Sequence, residues 1–124
     1  MLPSIANHIV GNPEGTEGLE ITLPEVGFRA LFHVPAVVCI TGADVRVTVN
    51  GEEVSMWSRV VIPRKSKLVI GKKKGGEGSG LRTYLAVRGG FPEVAVYLGS
   101  KSTSMGLGGY QVFSTIDILY TYIV

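Results

Sequence analysis

The chain has a single cysteine, Cys39, in 124 residues, so it forms no disulfide within itself and no zinc site built on paired thiolates. Its two histidines, His8 and His33, lie far apart, and no run of His, Cys, Asp or Glu has ligand spacing, so no metal is expected. No apolar run reaches the roughly 18 residues that a membrane span needs. The opening MLPSIANHIVGNPEG lacks the basic start and long apolar stretch of a secretory signal. A reducing, cytoplasmic setting away from membranes is the expectation. An excess of one charge is missing too: 12 basic residues face 10 acidic ones, and a net charge of +2 is too small to imply a nucleic-acid partner. Arg64, Lys65, Lys67, Lys72, Lys73 and Lys74 concentrate the cations in one region. With no aromatics between them they read as a solvated surface.

What the chain does have is 17 glycines and 6 prolines punctuating short β-prone runs. The segment PSIANHIVGNP holds about two helical turns, with Ser4 as a cap and Gly11-Asn12-Pro13 as the stop. From Leu19 the runs LEITL, RALFHV, AVVCIT, VRVTV, RVVI, KLVIG and RTYLAV each end at Gly, Pro, Asn, Asp or a charged residue. Asn50-Gly51 in VNGEEV suits a type I′ turn between antiparallel strands. Such spacing predicts an antiparallel barrel or sandwich with one short N-terminal helix, in a single domain. Gly71 to Gly80, GKKKGGEGSG, reads as a hairpin tip. The last residues, from Val112, are apolar and β-prone and predict a final strand if packed.

Several side chains invite a functional reading, each with a plainer rival. LGSKST, Leu98 to Thr103, lacks the glycine spacing of a phosphate-binding loop. Cys39 in VVCIT reads as a small core residue, and Met56 with Trp57 as a cap on the core beside the hairpin. Glu20 stands in an apolar strand, either on the solvent face or in a barrel mouth where its carboxylate needs donors. Asp44 follows Gly42-Ala43 and reads equally well as a turn residue. Arg88-Gly89-Gly90, at the end of YLAVRGGF, is more informative. It sets a five-donor guanidinium beside two residues free to adopt positive φ, which suits a carboxylate, bicarbonate or phosphate as well as it suits an ordinary turn.

Taken in order, IANHIVGNPEGTEGLEITL, VVCITGADVRVTVNGEEV, GLRTYLAVRGGF and YLGSKSTSMGLGGYQ resemble the second-subunit family of allophanate hydrolase, also called KipA or the 5-oxoprolinase C-subunit. That family recurs in the carboxyltransferase domain of biotin-dependent urea carboxylase, and PEVAVYLGSKSTSMGLGGYQ looks most like the fungal urea amidolyase version. The resemblance implies a cyclophilin-like β-barrel, here partial. It also implies a small amide substrate, urea or 5-oxoproline, with carboxybiotin and ATP in the wider context and a first-subunit-like partner. By motif it implies that Asn12, Glu20, Thr41, Gly42, Asp44, Arg88, Gly89, Gly90, Ser100, Ser102 and Thr103 line the substrate face. Glu20 and Asp44 would accept amide N–H groups and Arg88 would hold the carboxylate being moved, with no catalytic base identified.

The departures from the family pattern shape the functional expectation. Family members carry an upstream segment with a QD-GR-G pattern, and a GR-L--GD stretch after GGYQ; here VFSTIDILYTYIV follows instead. Residues 1–111 are therefore read as a partial domain of this type and 112–124 as an apolar tail outside the family pattern, the product of a shifted frame, a retained intron or an early stop. The expected function is a truncated carboxyltransferase-type domain resembling the segment that carboxylates urea to allophanate, inactive alone. The alternatives are a binding or regulatory piece that pairs with a first-subunit-like partner through an open strand edge, a component like the 5-oxoprolinase C-subunit, and a gene-model fragment without function.

Overall fold

The computed structural model describes residues 2–23, 27–71, 81–90, 94–98, 101–105 and 116–120. One helix, α1 (Leu2–Val10), precedes strands β1 (Leu19–Thr22), β2 (Phe28–Phe32), β3 (Ala36–Gly42), β4 (Arg46–Val49), β5 (Glu52–Val54) and β6 (Val60–Ile62). Then follow β7 (Ser66–Gly71), β8 (Arg82–Val87), β9 (Val94–Leu98), β10 (Lys101–Met105) and β11 (Ile116–Tyr120). The fold is mainly β with one short helix, as the sequence predicts. The strands make no closed barrel among the described residues. They divide into a four-stranded sheet in the order β1-β8-β3-β6 and a seven-stranded sheet in the order β10-β9-β11-β2-β7-β4-β5. Pairing is antiparallel throughout except between β11 and β9.

Period-two alternation explains why these segments are strands and which face each one buries. In β2 the inward residues Phe28, Ala30 and Phe32 are fully buried, as are Leu68 and Ile70 of β7, which lie opposite Ala30 and Phe28. Their counterparts on the other sheet are Ile21, Val38, Ile40, Val60, Ile62, Leu85 and Val87, and the two sets close one core between the sheets. Truncating Phe28 or Phe32 to alanine removes a ring that this core cannot refill, a loss of about 3–5 kcal/mol.

A second, smaller core of Ala6, Val10, Cys39, Tyr84 and Ala86 lies between α1 and the other face of the four-stranded sheet. Cys39 is a buried core residue, as read from the sequence. The Asn50-Gly51 hairpin also forms: Val49 pairs with Glu52, and Asn50 and Gly51 have φ of 51° and 86°, the left-handed values a type I′ turn demands.

Three expectations are corrected. Ser4 does not cap the helix, because α1 begins at Leu2 and places Ser4 inside its first turn. Residues 71–80 do not close a hairpin. β7 pairs with β2 and β4 in one sheet while β8 pairs with β1 and β3 in the other, so the connection crosses between sheets. Residues 72–80 themselves lie outside the described residues. Trp57 does not seal the core. It is 44% exposed and has a φ of 60°, whereas its neighbour Met56 does pack against the core. The final-strand expectation holds, since β11 sits inside the larger sheet between β9 and β2 with Ile116 and Ile118 buried.

Candidate functional site

The C-terminus of α1 meets the turn after β8, and this junction gathers most of the polar side chains that the sequence singles out. A helix leaves its last four carbonyls without intrahelical partners. Here all four are met. The Asn12 N–H donates to Asn7 O at 2.8 Å and the Gly11 N–H to His8 O at 3.1 Å, the bond pair of a Schellman stop. Arg59 Nε donates to Ile9 O at 2.6 Å and Arg88 Nε donates to Val10 O at 2.8 Å. Two arginines from distant strand ends thus cap one helix, where the negative end of its dipole favours them.

Asn12 ties the loop to the sheet. Its Nδ2 donates to Val87 O at 2.8 Å and to Asn7 Oδ1 at 3.1 Å, while its Oδ1 accepts the Gly89 N–H at 2.8 Å. Asn7, buried in the helix face, also donates from Nδ2 to Thr16 O at 2.8 Å and hydrogen-bonds the Tyr84 hydroxyl, as does the backbone of Gly18. Burial pushes the Tyr84 phenol above its ordinary value. The Asn7 bond opposes the rise, the charge of Glu20 adds to it, and Gly18 and Glu17 make smaller contributions of opposite sign. The network runs from Gly89 through Asn12 and Asn7 to Tyr84, and a cleft of about 260 Å³ lined by Asn7, His8, Asn12 and Glu14 opens beside it.

Sequence reasoning missed Asn7, Tyr84 and Arg59. A signal for Asn7 exists: it follows Ala6 and precedes Val10 on the apolar face of a short amphipathic helix, where a polar side chain must find partners. Nothing in the sequence pairs Arg59 with a helix end 50 residues away.

The residues named from the sequence fall into four neighbourhoods. Asn12, Arg88, Gly89 and Gly90 share the helix end. Gly89 and Gly90 do adopt positive φ, 86° and 85°, but their N–H groups are committed, to Asn12 Oδ1 and to Val87 O. Arg88 is exposed, and one of its five N–H donors goes to Val10 O. Glu20 and Thr41 flank Tyr84 in one row across β1, β8 and β3. Glu20 is exposed and Thr41 is buried and hydrogen-bonded. Tyr84 and Arg88 are separated by about 13 Å along the strand. Asp44 is exposed in the β3–β4 connection, next to Ala43, whose N–H donates to Arg82 O at 3.0 Å. The required residue there is Gly42, where a Cβ would come within 2.6 Å of Arg82 O. Ser102 and Thr103 belong to β10 in the other sheet, and Ser100 lies outside the described residues. Among the described residues no group of His, Cys, Asp and Glu is placed to hold a metal ion. No described helix is long and apolar enough to cross a membrane.

Residues 3–120 match the carboxyltransferase domain, subdomain A and B. The chain belongs to this carboxyltransferase family. The putative urea carboxylase of Emericella nidulans is 50% identical over 111 residues, covering 86% of the chain and 8% of that protein. The urea amidolyase of Saccharomyces cerevisiae is 41% identical over 120 residues, covering 94% of the chain and 6% of that protein. The 5-oxoprolinase C-subunit of Escherichia coli is 33% identical, covering 86% of the chain and 33% of that protein. Among solved structures, the K. lactis urea amidolyase superposes with a TM-score of 0.62 at 35% identity, over 94% of the chain and 7% of its own length. The carboxyltransferase chain thus spans less than a tenth of the length of the two fungal relatives.

Proposed function

We propose that the chain supplies one wall of a carboxyltransferase centre whose acceptor is urea, and that alone it does not turn over. The observation that carries the urea reading is the 50% identity to a protein described as a urea carboxylase, against 33% to a 5-oxoprolinase component. In this reading Arg88 is the contact for the carboxylate. Its Nε is held by Val10 O, which orients the guanidinium of an exposed residue. Asn12 and Gly89 then act by holding the turn in place.

The same geometry supports the inactivity reading. A preformed cradle for carboxybiotin or for the phosphates of ATP needs open N–H groups, and those of Gly89 and Gly90 are spent inside the fold. Gly89 and Gly90 therefore offer no such cradle to either group. Glu20, Asp44 and Ser102 stand apart from Arg88, so none of these three candidates supplies an amide acceptor beside it. A non-catalytic binding role is the second reading, and the inward commitment of the junction's polar groups favours it.

Amide chemical shifts test the proposal. Titrating the chain with allophanate, which bears the transferred carboxylate, is expected to move Arg88 and its Nε–H at lower concentration than 5-oxoproline does, and urea, which has no carboxylate, is expected to leave them unmoved. Equal response to allophanate and 5-oxoproline, or none to allophanate, contradicts the assignment.

A further inference from the structure

Among the described residues the two sheets have four edges, and natural sheets guard such edges with charge, proline or irregularity. β1 exposes Glu20 and Thr22, and β5 exposes Glu52 and Glu53. β10 reads KSTSM, a polar run led by a lysine. β6 reads VVI, with Val61 70% exposed, and its strand residues include no charge.

The backbone of Val61 also faces outward. In an antiparallel strand each residue sends its N–H and C=O to the same side, and the side alternates along the chain. Val37 O accepts the Arg88 N–H, so Val37 points toward β8; Ile40 O accepts the Trp57 N–H, so Ile40 points the other way. Ala36 and Val38 therefore face β6 and bond Ile62 and Val60, their partners in register. Val61, opposite Val37, directs its N–H and C=O away from the sheet.

Trp57 lies on the same side of β3, held by its bond to Ile40 O at 2.8 Å. A left-handed backbone is unfavourable for a bulky residue, by about 1–3 kcal/mol, and persists where the surroundings fix it. Here that conformation accompanies a large exposed ring three residues before an edge strand whose own residues carry no charge, the kind of anchor that dominates binding surfaces.

We propose that the β6 edge, with Trp57 beside it, is a docking site for an extended strand of another protein, one with an apolar centre and acidic flanks. Charge selects the partner. Arg59 precedes β6 and Arg64 and Lys65 follow it, all exposed. A second copy pairing through its own β6 would bring these cations together, whereas acidic flanks complement them. Pro63, which lacks an N–H, limits the hydrogen bonding beyond Val61 on one side. The proposal rests on the reading that the chain works within a larger assembly, and its test uses no carboxylation assay, so the two fail separately.

The probe is a synthetic seven-residue peptide of alternating valine and threonine with glutamate at each end; the control carries lysine at each end. Trp57, the single tryptophan, reports by fluorescence, and hydrogen exchange reads the Val61 N–H. The glutamate peptide is expected to shift the Trp57 emission and to slow exchange at Val61. The lysine peptide, and the Val61→Pro chain, are expected to bind about tenfold more weakly or worse, the loss of a favourable charge pairing in the first case and of a backbone hydrogen bond in the second. The Val61 N–H makes no bond to β3, so Val61→Pro leaves the pairing with β3 intact. Val61→Glu, which keeps that N–H, is a second variant that is expected to weaken binding of the glutamate peptide by charge and side chain. Unslowed exchange at Val61 with saturating glutamate peptide would overturn the proposal. So would equal binding of both peptides, or self-association of the chain in their absence.

Discussion

The Gly89 N–H donates to Asn12 Oδ1 at 2.8 Å, joining residues 77 positions apart. The same carboxamide donates to Val87 O and Asn7 Oδ1, so one side chain closes the loop after α1 onto the end of β8. Asn12→Asp keeps an acceptor for Gly89 but loses both donors and sets a carboxylate against two oxygens. It is expected to lower stability by about 2–3 kcal/mol, because buried acceptors lose their partners. Urea unfolding checks this: the midpoint falls and the slope stays unchanged.

Gly18 has no room for a side chain. A Cβ there would stand 2.3 Å from the Tyr84 hydroxyl, 2.5 Å from its Cζ and 2.7 Å from Leu85 O. Gly18→Ala is expected to cost about 2–3 kcal/mol through overpacking. Adding Tyr84→Phe does not restore it, because the ring carbon and the backbone oxygen remain. A double-mutant cycle by thermal unfolding would show recovery only if the hydroxyl were the sole obstacle.

The two arginines at the helix end make separable predictions. Arg59→Ala and Arg88→Ala each uncover a carbonyl of α1, with an expected loss of about 1 kcal/mol apiece and faster exchange of the helix amides. Only Arg88→Ala is expected to abolish the response to allophanate. If Arg59→Ala abolishes it equally, Arg88 acts through the helix and not as a contact.

Alkaline pH weakens the fold. Burial raises the Cys39 thiol above its ordinary 9.0, opposed by a bond from the Ser58 backbone, and raises the Tyr84 phenol above its ordinary 10.0. The folded chain holds both protons more tightly than the unfolded chain, so this contribution is complete below about pH 9 and is lost as pH climbs past each folded-state pKa. Unfolding midpoints from pH 7 to 11 are expected to be flat and then fall. Cys39→Ala removes the earlier part of the decline and Tyr84→Phe the later part.

The strands were legible because their signals are local: alternation in FRALF, β-branched runs in AVVCIT, Asn-Gly between two paired segments. How they divide between sheets was not. β7 and β8 adjoin across ten residues that suit a hairpin, and only the burial of Leu68 against one sheet's neighbours and Leu85 against the other's separates them. Arg88-Gly89-Gly90 shows the same division at the site. The sequence exposes its donors and its positive φ. It hides that Asn12 and Val87 take both amide hydrogens, because those partners come from tertiary packing. Asn7 was passed over for a like reason: its partners, Thr16, Asn12 and Tyr84, converge only when α1 lies on the sheet.

Fixation of labelled bicarbonate into allophanate decides whether the chain is one wall of a urea-carboxylating centre. The assay compares the purified chain with the Emericella nidulans putative urea carboxylase carrying residues 3–120 of this chain in place of its matching segment. No urea-dependent fixation is expected from the chain alone, fixation is expected from the hybrid, and a loss of about 100-fold is expected when the hybrid carries Arg88→Ala, a transition-state contact worth about 3 kcal/mol. Turnover by the chain alone, or a folded hybrid that fixes no bicarbonate with urea, would contradict it.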